Sequence, residues 1–137
     1  MGKTTTKQEK TTNPAAVSIG GQDYELVLTT AATREIAKRY GGLENLGTAL
    51  ETSDDLAATL GEVTWLITLL ANQSVKIHNL THPDAPKAEL TVEAVELLTV
   101  PADLTDYRAA ITEALHRGTR REIHTETDPK DTPTPGA

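Results

Sequence analysis

The chain has no cysteine and no phenylalanine, one methionine and one tryptophan, and aromatic residues make up only 3% of its 137 positions. Without thiols, disulfides and thiolate chemistry are excluded. The only large rings are Tyr24, Tyr40, Trp65 and Tyr107. Leu, Ile, Val and Ala must therefore fill the interior, which favours a compact helical body over a large sandwich. A long apolar run is also missing. The longest apolar-rich stretch, Val63 to Ala71, is broken by Thr64 and Thr68 and falls far short of the roughly 20 residues of a membrane span. Met1-Gly2-Lys3-Thr4-Thr5-Thr6 lacks the apolar core of a signal peptide, so a soluble protein of the cytosol is expected.

Charge is unevenly spread. The first 13 residues carry Lys3, Lys7 and Lys10 against Glu9, while Arg120, Arg121 and Lys130 lie in the last 20. Residues 14–117 keep seven cations against fifteen acids, a net of −8. That sign repels phosphate backbones and argues against nucleic acid as a partner. It suits solubility and docking onto a basic or apolar protein.

What is present starts with Val17-Ser18-Ile19-Gly20-Gly21-Gln22-Asp23-Tyr24-Glu25-Leu26-Val27-Leu28. Apolar residues alternate on either side of two glycines, which permit the positive φ of a two-residue primed turn. With that loop Val17 faces Tyr24, and both apolar sets fall on one face of a hairpin. A lone hairpin is marginal in water and must bury that face on the helices that follow.

A first helix is expected after Thr29 or Thr30, lined by Ala32, Ile36 and Tyr40 and closed by Gly41-Gly42. Leu43, Leu46 and Leu50 suggest a short helix interrupted by Gly47. The principal helix starts near Thr52-Ser53-Asp54-Asp55, with Leu56, Leu60, Val63, Ile67, Leu70, Ser74 and Ile77 as its stripe. Trp65, Leu66 and Leu69 widen that stripe, and His82-Pro83-Asp84-Ala85-Pro86 ends it. Thr91 caps a helix carrying Val92, Val95 and Leu98. Pro101-Ala102-Asp103 opens the last helix, with Leu104, Tyr107, Ile111 and Leu115 inward and Gly118 as C-terminal cap. The fold class expected is mainly α: a small N-terminal β-hairpin and a compact bundle of about five helices over 15–118. Residues 1–14 and 119–137, polar and punctuated by proline, are expected to be a disordered arm and tail.

Candidate chemistry is sparse. His78 and His82 are four apart, but Pro83 follows directly and no His-Glu-x-x-His pattern accompanies them. His116 and His124 straddle the start of the tail, and all four read as ordinary boundary residues. Gly2-Lys3-Thr4 has no upstream strand or glycine to make a phosphate loop. Asn79-Leu80-Thr81 is a glycosylation sequon without a secretion signal. Asp54-Asp55, and Glu93 with Glu96, stand where helix starts and solvated faces favour acids. Arg120-Arg121 reads as exposed charge. No catalytic, cofactor or metal motif emerges, so an interaction protein is expected rather than an enzyme. Helix geometry nominates Trp65, Leu66, Ile67, Leu69 and Leu70 as candidate partner-binding residues, with Trp65 weighted towards core packing.

The run Val17 to Leu26, the helix closing on Arg39-Tyr40-Gly41-Gly42-Leu43, the Leu-rich long helix, Thr91 and Pro101-Ala102-Asp103-Leu104 together resemble the tail assembly chaperones of long-tailed bacteriophages. The similarity spans roughly residues 16–117. It implies a protein that coats the helical tape measure protein in the host cytoplasm, keeps it soluble and helps recruit tail tube subunits. It implies absence from the mature virion. It also implies a longer product made by ribosomal frameshifting, through which the tube protein is met. The alternative is a structural virion component, such as a ring-forming connector or tail completion protein.

Overall fold

A computed structural model describes residues 13–50 and 55–120. The proposed arm and tail, and the capping residues Thr52, Ser53 and Asp54, lie outside the described residues, apart from Asn13, Pro14, Thr119 and Arg120. Two strands, β1 (Ala16–Ile19) and β2 (Gln22–Glu25), pair antiparallel with Val17 opposite Tyr24. Gly20 and Gly21 take φ of 60° and 86°, the two positive values a primed turn demands. Val17, Ile19, Leu26 and Leu28 are buried, Ser18 is exposed and Tyr24 is half-buried. The expected apolar face is therefore the buried one.

Five α-helices follow among the described residues: α1 (Thr30–Tyr40), α2 (Leu46–Leu50), α3 (Leu56–Thr81), α4 (Val92–Leu98) and α5 (Leu104–Thr119). Leu43–Asn45 and Pro101–Asp103 form single 3-10 turns leading into α2 and α5. The 43–50 stretch is thus split rather than one helix, though Leu46 and Leu50 are both buried. Thr29 caps α1 by accepting the Ala32 N–H at 3.0 Å, and Gly41 closes it in the left-handed conformation. Asp55 caps α3 through the Ala58 N–H, and Thr91 caps α4 through the Ala94 N–H.

α3 is the axis of the molecule. The hairpin, α1, α2, α4 and α5 all contact it. Val63, Leu66, Ile67, Leu70 and Ala71 are fully buried around its middle turns, facing a core completed by Ile36, Leu46, Val95 and Ile111. Its 26 residues run about 39 Å, against about 24 Å for the 16 of α5, at 1.5 Å per residue. The stripe expected from Leu56 to Ile77 therefore holds only in the centre. Val63, Ile67 and Leu70 are buried, but the ends outrun their neighbours, leaving Leu56 62% exposed and Ile77 44%.

The central turns are covered on more than one side, so polar residues are buried there too. Thr64 and Thr68 satisfy their hydroxyls on the carbonyls of Leu60 and Thr64, four residues back. Buried Gln73 accepts from the Thr29 hydroxyl at 2.6 Å and donates to the Leu69 carbonyl, locking the α1 cap to α3. Tyr107 of α5 donates its hydroxyl to the Ser18 carbonyl of β1 at 2.9 Å. Gly118 does not cap α5, which runs on to Thr119. Its role is close approach: a Cβ there would stand 2.6 Å from the Leu28 Cβ.

Candidate functional site

The five residues nominated from helix geometry separate in space. Leu66, Ile67 and Leu70 are fully buried, and Leu69 packs half-buried on the same core. These four stabilise the domain itself, and the first three are unavailable to a partner while it stays folded. The excess width of the stripe is spent on internal neighbours. Trp65 is half-buried beside α1, edge-on to Tyr40 with ring centroids 6.0 Å apart. The Arg39 guanidinium lies 4.3 Å from its ring centroid, within the range of a cation–π contact.

Glu62 completes that cluster, accepting from Arg39 Nε at 3.1 Å and from the Tyr40 hydroxyl. Burial pushes its carboxyl up, but the Tyr40 and Arg39 hydrogen bonds outweigh it and hold the carboxyl below its ordinary value. Burial first, then the bond to Glu62, raises the Tyr40 phenol. The cluster is a clasp between α1 and α3.

An open apolar groove lies on another side of α3, apart from the exposed Ile77 and Leu80 near its C-terminal end. Leu60 and Thr64 of α3, Glu96 of α4, and Thr99, Val100 and Leu104 around the 3-10 turn line a groove of about 200 Å³, with Pro101 at its edge. A void of about 150 Å³ in an apolar interior admits benzene, so the groove has room for a large apolar side chain. Leu56 sits one turn before Leu60, on the same helix face. In α4, too short to bury more than one side, Val95 is buried while Leu97 is 78% exposed; Val100, just beyond, is 58% exposed. Leu98 turns the other way, over Gly20 of the hairpin.

Two asparagines of α3 hold the segment that leads into α4. Asn72 clamps Leu90 by both backbone groups, at 2.8 Å to its carbonyl and 2.7 Å from its N–H. Asn79 clamps Lys87 in the same way, at 3.0 and 2.8 Å. Seven helical residues rise about 10.5 Å, and three extended residues span about 9–10 Å. The spacings match, so the 87–90 segment lies back along α3 and delivers Thr91 to cap α4. The Lys76–Glu89 ion pair at 3.1 Å and the contact of His78 Nε2 with the Ala85 carbonyl at 2.8 Å fasten the same segment. Between this segment and β2 lies a cleft of about 450 Å³ of mixed lining, bordered by Tyr24, Glu25, Val75, His78, Glu89 and Leu90.

The sequence reading missed the groove and both clamps. Each left a trace: Leu97, Leu98 and Val100 exceed what a seven-residue helix can bury, and two asparagines recur two turns apart on an apolar helix. His78 and His82 stack with ring centroids 4.7 Å apart, and no group of three or more His, Asp or Glu able to hold a metal occurs among the described residues. Among those residues no helix is long and apolar enough to cross a membrane. No family model, no curated protein and no solved structure matches this chain.

Proposed function

We propose that this protein is a tail assembly chaperone of a long-tailed bacteriophage, holding the tape measure protein soluble until tail tube subunits polymerise around it. The groove over Leu60, Val100 and Leu104, with exposed Leu56 one turn before Leu60 and exposed Leu97 next in the chain to Glu96, is the observation that carries the reading. A holdase for an amphipathic helical chain needs an open apolar surface and a like-charged body around it. The resemblance over residues 16–117 supplies the identity of the chain that is held.

Co-expression with the tape measure protein of the same phage tests the proposal. The expected result is a rise in soluble tape measure protein that Val100→Asp together with Leu97→Asp abolishes. Both side chains are exposed, so the doubly substituted chain keeps its helical circular dichroism. No gain in solubility with the unaltered chain overturns the proposal. So does finding the chain in stoichiometric amount in purified particles.

A further inference from the structure

The charge around the groove is one-sided. Residues 55–75, which supply its α3 wall, contain Asp55 and Glu62 and no Lys or Arg. Residues 88–107, which supply the opposite wall, contain Glu89, Glu93, Glu96, Asp103 and Asp106 and again no Lys or Arg. Glu62 is neutralised by Arg39 and Glu89 by Lys76. Among the described residues Glu93, Glu96, Asp103 and Asp106 make no ion pair. Asp103 accepts only the Val100 N–H, at 2.9 Å. The nearest following cation, Arg108, lies one turn past Leu104 and has its Nε buried. Glu96 in the lining, Glu93 one turn before it and Asp103 bonded to Val100 therefore form an acidic collar along the α4 side of the apolar floor. Such a collar rejects acidic chains, nucleic acid and anionic membranes, and attracts cations over about a Debye length.

We infer that the groove selects a cationic amphipathic helix, with large apolar side chains on one face and Lys or Arg flanking them. This rests on the groove being the holding surface proposed above, and it specifies which segments of a long helical partner are held first. The apolar face fills the space over Leu60, Val100 and Leu104. The flanking cations meet Glu96, which lines the groove, and Glu93 one turn before it on α4, neither of which makes an ion pair among the described residues. Glu93 and Glu96 of α4 thus act as a filter on sequence, and burial of the apolar face holds what the filter admits.

Fluorescence anisotropy with the full-length protein and two labelled synthetic helices tests this. Both peptides carry the same leucine face, one flanked by lysine and the other by glutamate. The lysine peptide is expected to bind at least about tenfold more tightly at low salt, and the difference to collapse once salt reaches about 0.5 M. Glu93→Lys with Glu96→Lys should abolish or reverse the preference. Glu25→Lys with Asp84→Lys changes net charge equally, away from the groove, and should retain most of it. Equal binding of the two peptides overturns the charge inference and leaves the groove as a docking surface. Binding of neither peptide overturns the groove itself. The same loss of preference in both double variants overturns a local collar in favour of net charge alone.

Discussion

Asn72 and Asn79 show how much one side chain can decide. Each satisfies an N–H and a C=O of an extended segment that no strand or helix partners. Asn72→Ala leaves both Leu90 groups half-buried without a partner, a loss of about 1–3 kcal/mol. Denaturant unfolding should show it, and binding at the groove should weaken as well, because α4 loses its anchor. Gly118 is a second such position. A Cβ at 2.6 Å from the Leu28 Cβ cannot be relieved by a rotamer change, because the Leu28 Cβ is fixed by its backbone. Gly118→Ala is therefore expected to destabilise by about 1–3 kcal/mol through overpacking, despite alanine's better helix propensity. A rise in melting temperature on Gly118→Ala would refute the close-approach account.

Elements behave according to how much of their circumference is covered. α3 is surrounded at its centre and less covered towards its ends, where Leu56 and Ile77 are exposed, so truncations along it should differ steeply. Ile67→Ala is expected to cost about 2–5 kcal/mol, a buried-cavity value. Leu56→Ala should cost under about 1 kcal/mol, since that side chain already meets solvent. Comparing the two unfolding midpoints checks the reading directly. The start of α1 is held from two directions, because Thr29 both caps Ala32 and donates to buried Gln73. Thr29→Ala should exceed the usual cap loss of about 1 kcal/mol, as the Gln73 oxygen loses its donor. Thr29→Ser, which keeps the hydroxyl, should recover most of it.

At the scale of the whole molecule, stability should fall at both ends of the pH range for separate reasons. The Glu62 carboxyl is held below its ordinary value in the folded state. Its contribution is full above the unfolded carboxylate range and is lost as pH falls through the lowered folded value. Burial, with Asp103 and Asp106 nearby, pushes the Tyr107 phenol up to about 12. The folded state favours the neutral phenol, so that contribution is full below the ordinary tyrosine value and lost as pH rises through about 12. Glu62→Gln should flatten the acid limb of a melting-temperature profile. Tyr107→Phe should shrink the alkaline limb while leaving the part that belongs to Tyr40.

The elements were legible in the chain because their causes are local. Gly20-Gly21 between alternating apolar residues determines a hairpin and its register, and Thr29, Gly41, Asp55 and Thr91 mark helix ends by their own backbone chemistry. The central part of the α3 stripe was legible for the same reason: Val63, Ile67 and Leu70 recur at helical spacing. Tertiary structure alone decided which apolar residues became core and which became surface. Leu66 and Leu97 look alike in sequence, yet one is fully buried at the centre of α3 and the other stands 78% exposed on a helix too short to turn it inward. Periodicity reports which side chains share a face, whereas exposure depends on what packs against that face, and that is settled by contacts between residues far apart along the chain.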